Sequence, residues 1–395
     1  MIKITLSKKV LEAHKAYYKR KIQPELENAK AAAIHYVPTG VLLEHMDFLT
    51  YCLEQIDTLS VGTVEELADV ERHIAANFQQ VKADIQAGTK IVIGTETKTY
   101  EKYLNELFGY KKFQAGDYID LLKKAAEKEI GYSRTRTKQM EKMTEILLVS
   151  FPEEREQITA ALGAGNRPRN LREYQEKLCG LKRIDILTHG NKLLELLPDE
   201  WNDYFFVLES GTRVCPYCNR QYITTVLSPS GRTRADIDHF LAKSQYPYFS
   251  MSIYNMIPVC KICNQALKHS HAYTFADVHP YRDDMNEKFW FHLDENNEIR
   301  IGDSGEDAIR RHIQIFKLQS LYSIHNNQAK ELITKKLAYP PELIEKLYHD
   351  NKDLFLDSNA VKQMILGFPN DKGQLNREAL FKMRRDIATA LGFFD

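Results

Sequence analysis

Two pairs of cysteines, each with two residues between its members, constrain the fold of this chain more than any other sequence feature. The pairs are Cys215 and Cys218 in CPYC and Cys260 and Cys263 in CKIC, and 41 residues separate them. Each pair can place two thiolates on one tight turn, and two such turns complete a closed, tetrahedral metal site. We therefore predict that the four thiolates bind a structural Zn²⁺ and that the intervening chain folds between them.

Paired cysteines could alternatively form disulfide bonds in a secreted protein or act in thiol redox chemistry. The stretch MIKITLSKK lacks the apolar core of a secretion signal. The longest apolar run, ILLVSF, is far shorter than the roughly 20 residues of a membrane-spanning helix. We therefore expect a cytoplasmic protein without membrane contact, whose cysteines stay reduced and bind metal. The remaining cysteines, Cys52 and Cys179, lie in helix-like segments and fit as small core residues.

Hydrophobic periodicity divides the chain into two mostly helical flanks with a short mixed segment between them. The expected class is α+β: a mostly helical protein that contains a zinc-stabilised domain of short strands and turns. We predict a helical N-terminal region at 1–205, which a linker near 163–170 could divide into two subdomains. The zinc-stabilised domain should span 206–285. The C-terminal region, 286–395, should begin with a hairpin formed by FWFHL and EIRIG and continue in helices.

Positive charge is concentrated locally rather than spread over the chain. The formal net charge is zero, so no chain-wide field attracts nucleic acid or a membrane surface. Between residues 211 and 272, seven basic residues stand against two acidic ones, a net charge of +5. This excess fits a surface that faces phosphate. Lys243, Lys268 and Arg220 are candidates for phosphate contacts, although each alone fits a solvated charge equally well.

An Asp-His pair and two asparagines accompany the cysteine pairs. Asp238 and His239 lie in ADIDHFLAKSQYP, Asn255 lies in YNMIP, and Asn264 directly follows the second cysteine pair. This order, within a four-cysteine frame, resembles the ββα-metal core of the HNH nuclease family over about residues 211–284. More narrowly, CPYCNRQYI, the stretch from DIDHF to CKICN, and HPY resemble the HNH effectors of bacterial anti-phage systems, such as Septu and retron-associated systems.

The resemblance implies a role for each of these residues. His239 would be the general base that activates water, a task that suits a side chain whose pKa lies near neutral pH. Asp238 and Asn264 would bind a catalytic Mg²⁺ or Mn²⁺ through oxygen atoms. Asn255 would orient the strand that carries His239 rather than touch the metal. The catalytic ion would be separate from the structural Zn²⁺.

Each residue also has a purely structural explanation. Asn264 could simply be the left-handed residue that often follows a CxxC turn, as expected for Asn219. Asn255 could be an ordinary turn residue. Asp236 shares a strand face with Asp238 by the two-residue period, but fits better as a solvated or salt-bridged carboxylate.

The resemblance implies an endonuclease that hydrolyses nucleic acid, with DNA as the expected substrate, acting in anti-phage defence. In such systems the nuclease is encoded beside an ABC-type ATPase, so we expect that partner, with the helical flanks supplying the interface. The same helices could instead pack on themselves or form a homo-oligomer. The alternative function is a non-catalytic, zinc-stabilised protein that binds nucleic acid or serves as a scaffold.

Overall fold

A computed structural model describes residues 3–36, 42–93, 95–114, 118–130, 136–181, 201–228, 230–269 and 271–394. Residues 182–200, which belong to the predicted N-terminal region, thus lie outside the described residues. The described chain is mostly helical with a few short strands, which confirms the α+β class. No helix in these ranges combines the length and the apolar character that a membrane crossing requires.

The chain forms two compact units, and each draws on separate stretches of sequence. The cysteine unit comprises Met1–Thr5, Thr212–Ile223 and Ile257–Asp395. The histidine unit comprises Leu6–Gly211 and Thr224–Met256. These units are defined by contacts between residues, whereas the three predicted regions were defined by hydrophobic periodicity along the sequence. The two divisions are therefore not comparable, and the predicted boundaries stay predictions.

The histidine unit is built mainly from helices, with short strands inserted. Its described elements are α1 (Lys8–Lys21), α2 (Gln23–Tyr36), α3 (Leu42–Glu54), α4 (Ile56–Val61), α5 (Val64–Asn77), α6 (Gln79–Ala87), β1 (Lys90–Ile93), β2 (Glu96–Thr99), α7 (Tyr100–Leu107), α8 (Tyr110–Phe113), α9 (Tyr118–Ile130), α10 (Arg136–Ser150), α11 (Arg155–Leu162), α12 (Leu171–Cys179), α13 (Asp203–Glu209), β3 (Val226–Ser228), β4 (Gly231–Thr233) and β5 (Asp236–His239). The pairs β1–β2 and β3–β4 are antiparallel hairpins.

Helix α5 illustrates how the sequence specifies these helices. Its buried residues recur every three or four positions, which places them on one face: Val64, Leu67, Val70 and Ile74. A capping box starts the helix, because the Thr63 hydroxyl accepts from the Glu66 amide while the Glu66 carboxylate accepts from the Thr63 amide. The apolar stripe therefore determines which face of the helix is buried, and the capping box determines where the helix begins.

The cysteine unit contains the cysteine turns, a hairpin and the C-terminal helices. Its elements are β6 (Met256–Val259, which begins at the last residue of the histidine unit), the helical segment Ile262–Lys268, β7 (Phe289–Leu293), β8 (Ile299–Asp303), α14 (Asp307–Ile315), α15 (Leu318–Ser323), α16 (Asn326–Ala338), α17 (Pro341–Asp350), α18 (Ser358–Leu366) and α19 (Phe381–Ala390).

The predicted hairpin at the start of the C-terminal region is confirmed. Strands β7 and β8 pair antiparallel, with Phe291 opposite Ile301. Alternate residues of β7 point inward: Phe289 and Phe291 are buried, whereas Trp290 between them is exposed. The ring of Phe291 lies 4.3 Å from that of Tyr322 on α15, and α19 covers β7. The hairpin and the helices therefore share one hydrophobic core.

The two cysteines outside the pairs have different environments. Cys52 on α3 is fully buried, so its prediction as a core residue is confirmed. The same prediction is wrong for Cys179, which is exposed. Helix α12 buries Tyr174 and Leu178, which share a face at four-residue spacing, and Cys179 is the next residue, turned about 100° away from it.

Candidate functional site

The four paired cysteines meet in one buried cluster. Their Sγ atoms all lie within 4.8 Å of one another, and the Sγ atoms of Cys218 and Cys260 are 3.9 Å apart. Four sulfurs at about 2.3 Å from a tetrahedral Zn²⁺ would be about 3.8 Å apart, whereas disulfide-bonded sulfurs are about 2 Å apart. All four cysteines are free thiols. The cluster can therefore hold a metal ion such as Zn²⁺, as the spacing predicts.

The first cysteine turn has the hydrogen bonds of a tight metal-binding loop. The Asn219 amide donates to the Cys215 carbonyl at 2.8 Å, and the Arg220 amide donates to the Cys218 Sγ at 3.4 Å. Asn219 has a φ of 50°, in the left-handed region that asparagine tolerates. The structural explanation given for Asn219 is thus confirmed.

The electrostatics of the cluster also favour a bound cation. Burial raises the pKa of the Cys215 thiol, whereas hydrogen bonds from the three neighbouring cysteines lower that of Cys260. Four thiolates so close together repel one another unless a cation lies between them, because little water reaches the cluster to screen them. A divalent ion would hold all four in the thiolate form.

The C-terminal helices bind three successive carbonyl groups of the first cysteine turn. His312 Nε2 donates to the Tyr217 carbonyl at 3.0 Å, and the Tyr322 hydroxyl donates to the Cys218 carbonyl at 2.6 Å. The Leu380 amide donates to the Asn219 carbonyl at 2.7 Å. Burial lowers the pKa of His312 to about 3, so its ring is neutral. No sequence pattern marks His312 or Tyr322 for this role, because each lies about 100 positions from its partner.

The second cysteine turn continues into the helical segment Ile262–Lys268. The Asn264 amide donates to the Cys260 carbonyl, and the His269 amide donates to the Asn264 carbonyl, both at 3.1 Å. Asn264 therefore has helical rather than left-handed backbone, unlike Asn219. The left-handed explanation for Asn264 is wrong, because the backbone remains helical beyond Cys263. The helical segment ends only at His269, which has a φ of 34°.

In the histidine unit, strand β5 carries the Asp-His pair. Asp238 is 6% exposed, and His239 is half-buried. His239 Nε2 lies 2.9 Å from the Ser250 carbonyl. A carbonyl can only accept, so Nε2 carries the hydrogen and, in the neutral ring, Nδ1 carries the lone pair. The fold thus fixes both the orientation of the imidazole and the nitrogen that can take up a proton.

Asn255 binds the chain directly after His239. Its Oδ1 accepts from the Leu241 amide at 2.7 Å, and its Nδ2 donates to the carbonyls of Leu241 and Phe249 at 3.2 and 3.0 Å. Its own carbonyl accepts from the Phe240 amide at 2.8 Å. The side chain is 1% exposed. These contacts are those expected of a residue that orients the strand of His239, the role predicted from the resemblance.

Tyr110, which no sequence motif marks as a site residue, lies beside His239. The two rings meet edge to face with centroids 4.5 Å apart. Burial raises the pKa of Tyr110 to about 12, and the negative charges of Asp236 and Asp238 act in the same direction. Both carboxylates of β5 therefore act electrostatically on Tyr110. The bystander role predicted for Asp236 stays a prediction.

The three candidate phosphate contacts have different surroundings. Lys243 is exposed, and its Nζ lies 4.9 Å from the centroid of the Tyr110 ring. Lys268 is 4% exposed, and its Nζ lies over the ring of Tyr273. Arg220 is half-buried on the first cysteine turn. Of the three, Lys243 is the one the histidine unit places near His239.

Comparisons of the chain with models of protein families, with curated proteins and with solved structures found no match. Within the described ranges, the cysteine cluster is the one group of three or more His, Cys, Asp or Glu side chains able to share a metal ion. The predicted second site, with one carboxylate and one amide, is of a different kind and stays a prediction.

Proposed function

We propose that this protein is a metal-dependent endonuclease of the HNH type that hydrolyses phosphodiester bonds of nucleic acid. The observation that carries the proposal is the hydrogen bond that sets the orientation and the tautomer of the His239 ring. Its ring is held by the Ser250 carbonyl in the tautomer whose Nδ1 can accept a proton, directly after the buried carboxylate of Asp238.

In this proposal, His239 is the general base. Its Nδ1 takes a proton from water, which then attacks the phosphorus atom as a nucleophile. Asn255 is a positioning residue, since its hydrogen bonds fix the backbone of Leu241 and Phe249 on either side of the loop that follows His239.

Asp238 and Asn264 are the proposed protein ligands of the catalytic ion, Mg²⁺ or Mn²⁺. When bound, such an ion neutralises charge on the phosphate and on the leaving oxygen. A carboxylate and an amide oxygen are ligands that hard divalent cations accept. The ligand role gains support at Asn264, because its helical backbone removes the left-handed explanation for an asparagine there.

The cysteine cluster is proposed to bind Zn²⁺ in a structural role. Four thiolates complete a tetrahedral shell and leave no position for substrate. A reducing cytoplasm, the proposed location, would keep the cysteines available for the metal.

DNA is the proposed substrate, and anti-phage defence beside an ABC-type ATPase is the proposed context. The local charge of +5 between residues 211 and 272 supports binding to a phosphate backbone. The defence context and the ATPase rest on the motif resemblance. Coexpression with the product of the neighbouring gene, followed by size-exclusion chromatography, tests the partner: co-elution is expected, and a lone monomer peak would count against the complex.

The activity is tested by incubating the full chain, with and without that neighbouring protein, with supercoiled plasmid or RNA. We expect nicking or linearisation of DNA that requires added Mg²⁺ or Mn²⁺. The alternative, a non-catalytic zinc protein, predicts bound zinc and nucleic-acid binding but no cleavage under any of these conditions. Absence of cleavage with the partner and either metal present would refute the proposed activity.

A further inference from the structure

The ring of Tyr110 contacts both His239 and a lysine ammonium. Its edge-to-face contact with His239 has a centroid distance of 4.5 Å, and the Nζ of Lys243 lies 4.9 Å from the same centroid. Tyr110 is 7% exposed and lies on α8, far from β5 in sequence. Helix α8 thus brings a cation-binding aromatic face next to the proposed general base.

Helix α8 supplies a second lysine next to Tyr110, the residue whose ring Lys243 contacts. Lys111 follows Tyr110 on α8, and its side chain is exposed. Although Lys243 is exposed, partial desolvation by the surrounding protein lowers its pKa, and the positive charge of Lys111 acts in the same direction, while Glu101 opposes it. The positive charge of Lys111 therefore acts on Lys243.

Two other cations of the histidine unit, Arg234 and Lys112, are paired with carboxylates. Arg234 Nη2 and Nε lie 2.7 and 2.9 Å from Oδ2 of Asp203. Lys112 Nζ lies 2.7 Å from Glu25 Oε1. Within the described ranges, neither Lys111 nor Lys243 has an ion pair with a carboxylate. Among the residues that the structure describes, no carboxylate thus binds the positive charge of either lysine.

The backbone around Lys243 is held in place. Asn105 Nδ2 on α7 donates to the Lys243 carbonyl at 3.1 Å. The amides of Gln245 and Tyr246 both donate to the Ala242 carbonyl at 2.9 Å. Helix α7 therefore fixes the loop that presents Lys243, and α8 supplies Lys111.

From these contacts we propose that Lys243 and Lys111 form a binding site for a backbone phosphate of the nucleic acid, which positions the strand beside His239. The inference rests on the proposed nuclease function and assigns part of the substrate site to the N-terminal helices. Two ammonium groups act on phosphate as point charges, so the site contributes affinity without reading sequence.

The site is tested by DNA binding in the full chain with His239→Ala, which keeps the substrate intact. Binding of a short fluorescein-labelled DNA duplex is measured by anisotropy from about 50 to about 200 mM NaCl. Lys243→Ala and Lys111→Ala are each expected to weaken binding and to reduce the slope of log affinity against log salt by about 0.9. Lys112→Ala is the matched control, since it removes one charge from the same helix but its lysine is already paired.

The outcomes separate this site from the nuclease assignment. If Lys243→Ala and Lys111→Ala bind DNA with the same affinity and salt slope as Lys112→Ala, the phosphate site is refuted, even where His239→Ala abolishes cleavage. If both lysine variants reduce the salt slope but the wild-type protein cleaves nothing with its partner and metal, the phosphate site stands and the nuclease assignment fails. Lys243→Arg should retain most of the binding, because it keeps the charge.

Discussion

The hydroxyl of Tyr322 donates a 2.6 Å hydrogen bond to the main-chain carbonyl of Cys218. Tyr322 is fully buried on α15, and Cys218 is one of the four clustered cysteines. A helix of the C-terminal region thus binds the backbone of the first cysteine turn, where Zn²⁺ is proposed to bind. The metal site and the C-terminal helices should therefore be stabilised together.

Tyr322→Phe removes that hydroxyl and leaves the Cys218 carbonyl buried without this donor. We expect the free energy of unfolding to fall by about 1–3 kcal/mol, as urea denaturation would measure. Tyr348→Phe is the control, because the Tyr348 hydroxyl makes a longer, exposed bond of 3.4 Å to the Leu356 carbonyl. Equal stability of Tyr322→Phe and wild type would show that the bond contributes nothing.

Removal of the metal should loosen the C-terminal helices as well as the cysteine turns. The carbonyls of residues 217, 218 and 219 bind His312, Tyr322 and Leu380, so disorder of the turn removes all three anchors. Titration of the thiols with a mercurial should release about one zinc ion per chain. Hydrogen exchange should then accelerate in α14, α15 and the start of α19. Unchanged protection of these helices after complete metal release would contradict the coupling.

Stability should fall in mild acid because of a buried histidine in the histidine unit. His14 Nε2 donates to the Met251 carbonyl at 2.7 Å, and its Nδ1 accepts from Trp201 Nε1 at 3.0 Å. Burial lowers the pKa of His14 to about 4 from 6.5. Between these values the unfolded chain binds a proton that the folded chain does not, so stability is full above about pH 6.5 and falls as the pH drops toward 4.

The measurement for His14 is urea denaturation at several pH values in this window. A pKa difference of this size corresponds to roughly 3 kcal/mol lost by pH 4. His14→Phe should be less stable at neutral pH, because it leaves the Met251 carbonyl and the Trp201 indole without partners, but should show a shallower fall with acid. His349→Ala, at an exposed position, should keep the wild-type pH dependence. An identical acid slope in His14→Phe would rule out His14 as the source.

The two asparagines that follow the cysteine pairs should respond differently to substitution. Asn219 has left-handed backbone, and its buried side chain bonds the Leu375 carbonyl and the Lys382 amide. Asn219→Ala should therefore lower the free energy of unfolding by about 2 kcal/mol or more.

Asn264→Ala should cost less stability, about 1 kcal/mol or less, because its backbone is helical. Its expected effect is on activity: cleavage at least tenfold slower, with a higher requirement for Mg²⁺. Thermal unfolding, zinc content and metal-dependent cleavage distinguish the two variants. Wild-type cleavage at low Mg²⁺ by Asn264→Ala would remove Asn264 from the metal site.

Local sequence patterns predicted the features that depend on neighbouring residues. The CxxC spacing predicted the cysteine cluster, and the tolerance of asparagine for left-handed backbone predicted the conformation of Asn219. The alternation of apolar and polar residues predicted the hairpin of β7 and β8. The prediction failed at Cys179, where helical pattern alone did not decide which side of α12 is buried. The left-handed alternative for Asn264 is also wrong, because the length of the helical segment after Cys263 depends on the surrounding fold.

Contacts between distant parts of the sequence could not be predicted in this way. Tyr110 meets His239, His14 meets Met251, and Asn105 meets Lys243 across more than 100 positions. In a single sequence, Tyr110 is one aromatic residue in the unremarkable helix YKKF. Nothing local marks it as a neighbour of β5, since packing of the whole unit determines that contact.

The central claim, that His239 is the general base of an endonuclease, is tested most directly by the cleavage rate of His239→Ala. The rate is measured on plasmid DNA with the full chain, its coexpressed partner and Mg²⁺, beside His349→Ala as the exposed-histidine control. We predict that His239→Ala slows cleavage at least about 100-fold while keeping wild-type zinc content and thermal unfolding. Cleavage by His239→Ala at the rate of His349→Ala would contradict the claim.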